Sequence, residues 1–314
     1  MTTARLSARA ALVVAALAAL PAHAITIQFD FSYDTRGFFT DLATGAPLAE
    51  RRAALEAAAA VYAPFSDALT AIQPGTGDQW SVRIQHPSLA GPGIVLNNLT
   101  IEADTLTVFV GGSTLEPGVL GFANTGSALT AQGSPEFVDS VRTRGQANAT
   151  GPAATDYGVW GGMIWFNGGN HWYFGQDAAG LGATQHDFFT TAVHEIGHIL
   201  GFGTADSWAA QVNAQGQFTG AAATAAYGGP VPLDRYASHW ALGTTSTTPA
   251  GLTQGTLMDP ATSAGVRETM TQLDLAGFAD IGWQISPVPE PGTTGLLVAG
   301  LAALGVLRKR RPQG

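Results

Sequence analysis

The chain of 314 residues carries 23 acidic against 14 basic residues and no cysteine, which removes disulfide frameworks and thiolate metal ligands from consideration. With the two end segments described below set aside, eight arginines face 22 acidic side chains, a net charge near −14. Such a surface repels nucleic-acid phosphates and excludes nucleic acid as a partner.

At the N-terminal end, Arg5 and Arg9 precede an apolar run over residues 10–20, followed by Pro21 and the small-residue pattern Ala22-His23-Ala24. That order predicts a secretory signal over residues 1–24, cleaved after Ala24. One medium-sized domain is expected over residues 25–286. Its first ten residues alternate apolar and polar side chains and predict a strand. Between 48 and 72, Leu55, Ala58, Ala59, Tyr62, Phe65, Leu69 and Ile72 recur at three- and four-residue spacing. This predicts a helix covering the sheet, with Pro64 placed to kink or end it. Strands are predicted at 80–85, 99–101 and 106–110, a polar surface loop over 127–152, and a further strand over 161–167. A helix should begin at the capping Asp187 and run to about Leu200, where Gly201 and Gly203 stop it. A Gly/Ala-rich stretch, residues 233–242, a Thr-rich loop and a last helix around 271–280 follow. The order of elements suggests an α+β domain with a mixed sheet.

Segment 287–314 has three parts: Val288-Pro289-Glu290-Pro291, an apolar run over 292–307, and Arg308-Lys309-Arg310-Arg311. As a helix the run spans roughly 24 Å, enough to cross a bilayer core with some thinning. The arrangement resembles the PEP-CTERM sorting signal of Gram-negative bacteria. The resemblance implies an exosortase-type partner and a transmembrane helix with its basic end in the cytoplasm. It also implies a domain exported to the extracellular space, cell surface or matrix, with transient inner-membrane anchoring as its only membrane contact. A plain C-terminal anchor is the alternative.

The chemistry concentrates in His194-Glu195-Ile196-Gly197-His198. Two histidines four apart on a helix project from one face and can bind one tetrahedral Zn²⁺. Glu195 beside them suits a general base acting on water whose pKa the metal lowers toward about 7. The His and Glu content predicts roughly 0.004 chance occurrences of H-E-x-x-H, so chance explains it poorly. A catalytic zinc needs a third protein ligand and an open position. His23 leaves with the signal, His86, His171 and His186 precede the helix, and His239 is the sole histidine after it. His239, His171 and Asp206 are candidates, and Glu268 is the candidate if a later helix supplies a glutamate.

With Gly201, the motif resembles that of the metzincin metallopeptidases, H-E-x-x-H-x-x-G-x-x-H. The last histidine would fall at 204, where this chain has Thr204. In the leishmanolysin-like branch an insertion separates glycine from third histidine; here it would be residues 202–238. Ser238-His239-Trp240 and then Gly255-Thr256-Leu257-Met258-Asp259-Pro260 are similar to that branch's third ligand and Met-turn. The resemblance, over about 161–283, implies His194, His198 and His239 as ligands and Met258 as an apolar floor. It implies a zincin/metzincin-like fold: a mixed twisted sheet, an active-site helix and a smaller C-terminal subdomain containing the Met-turn. An extended polypeptide substrate would pair with an edge strand, for which Met163, Ile164, Trp165, Phe166 and Asn167 are the match. Pro260 stands where some metzincins place a tyrosine, which leaves Tyr236 as a candidate oxyanion donor.

The function expected is a secreted endopeptidase with one catalytic Zn²⁺, hydrolysing peptide bonds by a zinc-activated water with Glu195 as general base. A non-catalytic matrix or adhesion module on a metzincin-like scaffold is the alternative, and Glu195 favours the enzyme, since a module needs no carboxylate there. No EF-hand loop or glycine-rich calcium repeat is present, so calcium is unsupported.

Overall fold

A computed structural model describes residues 24–286. The predicted signal and sorting tail, including the apolar run expected to cross the membrane, fall outside the described residues save for Ala24. No helix among the described residues is long and apolar enough to cross a membrane.

The main elements, in chain order, are β1 (Thr26–Asp30), α1 (Ala49–Ala60), β2 (Gln79–Ile84), β3 (Ile94–Asn97), β4 (Thr105–Ser113), β5 (Gly121–Asn124), β6 (Ser127–Gln132), α2 (Pro135–Arg142), β7 (Gly161–Asn167), α3 (Phe188–Ile199), α4 (Asp206–Ala209), α5 (Ala221–Tyr227) and α6 (Gln272–Asp280). Short two- and three-residue strands lie between them. The central sheet has the order β1-β4-β7-β5. β1, β4 and β7 run parallel, and β5 closes the row antiparallel to β7, with Phe122 opposite Trp165. A second, antiparallel sheet places β2 between β3 and β6.

Every residue of β7 is buried, as expected for a parallel strand covered on both faces and paired on both sides. Met163, Ile164, Trp165, Phe166 and Asn167 therefore do not form the edge that a substrate could extend. β5 takes the position beside β7, and the outer edge belongs to Gly121–Asn124. The apolar run of β7 is a signature of a central strand.

Within residues 127–152, expected to be loop, 127–132 and 135–142 instead form β6 and α2, while 143–152 are turn and loop. β6 is almost wholly exposed, so it shows no apolar alternation and is held by its backbone pairing with β2. α2 has an ordinary start: Ser134 Oγ accepts from Phe137 N at 3.2 Å, proline occupies the first turn, and Phe137 and Val141 are buried. Of the strand expected at 99–101, only a bridge between Ile101 and Ile72 is present, and the strand proper is β3. α1 ends before Pro64. Leu69 and Ile72 continue its apolar series yet are buried outside it, because the chain turns back toward Ile101 and Asp104.

α1 and α3 pack together, and Tyr62 Oη donates to Val193 O at 2.8 Å. Phe38, Phe39, Phe166 and Phe188 fill the space between the sheet and these helices, with ring centres 4.7–6.0 Å apart. A separate strut joins the distant segments around the sheet. Arg144, fully buried, donates through Nε to Thr70 O (2.6 Å), through Nη1 to Thr105 O (3.0 Å) and Val159 O (2.8 Å), and through Nη2 to Glu102 O (3.1 Å). Burial lowers its pKa to about 10, opposed by Asp104. Replacing Arg144 with Met keeps volume but strands four carbonyls, so a loss of about 3–5 kcal/mol is expected. A urea denaturation midpoint unchanged from wild type would contradict that role.

Candidate metal centre

The helix that carries the motif is fixed at both ends. At its start the Asp187 carboxylate accepts from Thr190 N (3.1 Å) and Thr190 Oγ1 (2.6 Å), the side-chain cap expected there. Arg267 grips the same carboxylate with Nε (2.8 Å) and Nη2 (2.7 Å), tying the helix start to the segment after Met258. At its end Gly201 adopts φ +97° and Gly203 φ +72°, which favours glycine at both. Gly203 has a second reason to lack a side chain. A Cβ there would lie 2.1 Å from Ser238 O, so the glycine admits the returning chain that presents His239.

His239 is set by the Asp234 carboxylate, with Ser238 Oγ also 3.1 Å from its Nδ1. Asp234 Oδ1 accepts from the backbone N–H of Tyr236 (3.2 Å) and Ser238 (2.9 Å), and Oδ2 lies 3.1 Å from His239 Nδ1. Burial works to raise the Asp234 carboxyl, but the hydrogen bonds from His239 and Ser238 outweigh it and hold it below the ordinary value. The other two rings are oriented by carbonyls. His194 Nδ1–H donates to Leu257 O (2.8 Å) and His198 Nδ1–H to Phe202 O (2.9 Å).

These partners decide the tautomers. A carbonyl or carboxylate oxygen can only accept, so each Nδ1 carries the proton and each Nε2 presents a lone pair. The three Nε2 atoms converge, with His198 at 3.1 Å from His194 and 3.0 Å from His239. Three lone pairs facing one another without a shared proton repel, and a cation between them removes the conflict. Tetrahedral Zn²⁺ with Zn–N bonds of about 2.05 Å would separate the nitrogens by roughly 3.3 Å, close to the spacing present. The residues thus fit one zinc ion. Burial, followed by the other two histidines, pushes His194 well below the usual imidazole value, and burial with His239 lowers His198 to about 4. Both effects favour the neutral, ligating form.

Met258 is buried against the motif helix. Its Sδ lies 2.8 Å from where a Cβ on Gly197 would stand, so a glycine inside the motif admits the sulfur against the helix. Asp274, at the start of α6, accepts from Leu257 N (2.9 Å), Met258 N (3.2 Å) and Trp240 Nε1 (3.0 Å). One buried carboxylate therefore holds the methionine turn and the residue beside His239 in one frame.

Glu195 sits on the same helix, 6 % exposed, and burial raises its pKa to about 8. It faces a cavity of about 540 Å³ together with the three histidines, Thr191 and the edge strand β5. A Cβ on Gly121 would stand 2.8 Å from Glu195 Oε1, so the strand passes directly against the carboxylate.

The remaining candidates lie elsewhere. His171 is exposed, and Asp206 Oδ2 accepts from Gly151 N at 2.6 Å. Glu268 turns toward Thr262 and is not part of the histidine cluster. Tyr236 is 70 % exposed, accepts from Arg235 Nη2, and does not line the cavity. Asp234, Asp274 and Gly121 escaped the sequence reading. For Asp234 a signal existed, an Asp placed to cap the turn that leads into His239. Replacing Asp234 with Asn removes the charge behind His239, and a loss of about 10- to 100-fold in zinc affinity is expected. Competition with a chromophoric chelator measures it, and affinity equal to wild type would show that the ring needs no such support.

Two family models match the chain. One, described as SPBPB7E8-like, covers residues 148–219, which include β7, α3 and the glycines after it. The other is the PEP-CTERM protein-sorting motif, over residues 287–311. The chain thus bears the signal read by an exosortase-type sorting enzyme, which marks an exported protein bound for the envelope or surface of a Gram-negative bacterium. No curated protein and no solved structure matches the chain.

Proposed function

We propose that the protein is an exported zinc-dependent endopeptidase of metzincin type, with the leishmanolysin-like arrangement of its third ligand. The observation that carries this reading is the convergence of three Nε2 lone pairs beside a buried carboxylate at the wall of an open cavity. A zinc ion held by His194, His198 and His239 would supply Lewis acidity and a lowered pKa for water. Glu195 takes a proton from the attacking water and delivers it to the amine nitrogen as the peptide C–N bond breaks. A cation beside Glu195 opposes the rise caused by burial and favours the ionised base. Asp234 and the Leu257 and Phe202 carbonyls keep the imidazoles turned toward the centre.

The extended substrate pairs with β5, whose outer edge borders the cavity. The buried carboxylate of Glu195 at the cavity wall beside the three histidines supports the enzyme over a non-catalytic matrix module, which has no need of a carboxylate there. The test of the reading is zinc stoichiometry of the purified protein together with cleavage of varied unfolded proteins. A protein that binds no zinc and cleaves none of them defeats it.

Sorting adds a second step. The tail serves as a transient inner-membrane anchor and is removed by the sorting enzyme, which releases the domain to the surface or matrix. Mass analysis of the extracellular protein should show the loss of Arg308 to Arg311; material that retains them would indicate a permanent anchor.

A further inference from the structure

A second large cavity lies apart from the metal centre. It holds about 520 Å³ and shares no lining residue with the cavity above the histidines. It opens at the carboxyl ends of β4 and β7, where Gly112, Ser113 and Gly168 meet the loops at 36–38 and 88–90 and the first turn of α1. Crevices outside the carboxyl ends of parallel strands are a common place for ligands.

Its charge separates it from the rest of the molecule. Arg36 and Arg51 both line it and no Asp or Glu does, although acidic residues outnumber basic ones by 22 to eight over residues 25–286. Arg36 is exposed and makes no hydrogen bond or ion pair among the described residues. Arg51 gives Nη1 to Phe38 O (2.7 Å), and its guanidinium lies 5.1 and 5.2 Å from the ring centres of Phe38 and Phe174. Its other N–H groups have no acceptor among the described residues. Arg51 also stands in the first turn of α1, where positive charge opposes the helix dipole. A bound anion would offset that cost.

Hydroxyl groups stand beside the two cations. Ser113 Oγ accepts from Trp165 Nε1 at 3.1 Å, so its own proton is available to donate. Ser88 is 1 % exposed and its hydroxyl has no partner among the described residues. Buried hydroxyls are normally satisfied, and both serines line this cavity.

We propose that this cavity is an oxyanion-binding site, in which Arg36 and Arg51 hold a carboxylate or phosphate group and the hydroxyls of Ser88 and Ser113 add further donors. Guanidinium groups present paired N–H donors that match either oxyanion. The site is independent of the zinc reading, since it uses none of the residues of the metal centre.

The test follows the indole N–H resonance of Trp165, assigned with Trp165→Phe, in the exported protein. Inorganic phosphate, acetate and citrate are titrated separately at ionic strength held constant with chloride. A saturable shift is expected, weakened at least about tenfold by Arg36→Gln. Tighter phosphate would identify a phosphoryl ligand and tighter citrate a carboxylate ligand, and either upholds the site. Failure of all three to saturate at millimolar concentration overturns it, as does equal affinity in Arg36→Gln. Arg36 is exposed and makes no hydrogen bond or ion pair among the described residues, so this variant remains interpretable even if Arg51→Gln does not fold.

Discussion

Replacing Glu195 with Gln is expected to lower peptide hydrolysis by about 10²- to 10⁴-fold, the usual contribution of a positioned acid–base group. Zinc content and thermal unfolding should stay near wild type. Glu195 is not among the converging nitrogens, and glutamine has the same shape in the space left by Gly121. The substitution also removes a buried titrating group whose pKa burial raises to about 8, so it adds no unpaired charge to the site. What it removes is a carboxylate able to accept and pass on a proton. The measurement is kcat/KM on one unfolded protein substrate, with zinc counted in the same samples. If the variant keeps most of its activity, Glu195 is not the base.

How much of this was legible in the sequence depends on whether the signal is local. The Asp187 cap, the run of α3 and its stop at Gly201 rest on hydrogen bonds within a few residues, and the structure places all three there. The capping box of α6 is similarly local, with Thr271 and Asp274 three apart. The two edge strands β5 and β6 are the opposite case. β5 is a four-residue strand whose one large apolar side chain, Phe122, is exposed, and β6 is exposed nearly throughout. Neither carries periodicity, because backbone pairing with β7 and β2 holds them. The strand with the stronger apolar signal, β7, therefore drew the substrate-edge role that its central position rules out.

The metal centre shows the same division. His194 and His198 are related by helix geometry alone, which four-residue spacing reveals. His239 lies 41 residues after His198, and composition singled it out only as the sole histidine following the helix. The features that bring it back act across the chain: the missing side chain of Gly203 against Ser238, and Asp274 holding Met258 and Trp240 together. No spacing rule encodes such contacts. Gly121 is the sharpest example, since its partner Glu195 lies 74 positions away and an isolated glycine in a weak strand reads only as punctuation.

Replacing His239 with Ala should weaken zinc binding more than any change behind the ligands, by well over about 100-fold, because it removes one of three nitrogen donors rather than its support. The fold should tolerate the loss. The His239 ring is partly exposed at the cavity, while the neighbouring Trp240, buried and bonded to Asp274, anchors the segment. Removing the ring leaves His194 and His198 in place, since their orientation comes from Leu257 and Phe202. Two imidazoles four apart on a helix retain some affinity, so the variant should bind zinc weakly and lose it to a moderate chelator that wild type resists. Asp206→Ala and His171→Ala serve as the contrast. Asp206 is committed to Gly151 N and His171 is exposed outside the cluster, so both variants should hold zinc as wild type does. If Asp206→Ala or His171→Ala released the metal and His239→Ala kept it, the third ligand would be misassigned and the leishmanolysin-like arrangement would fall with it.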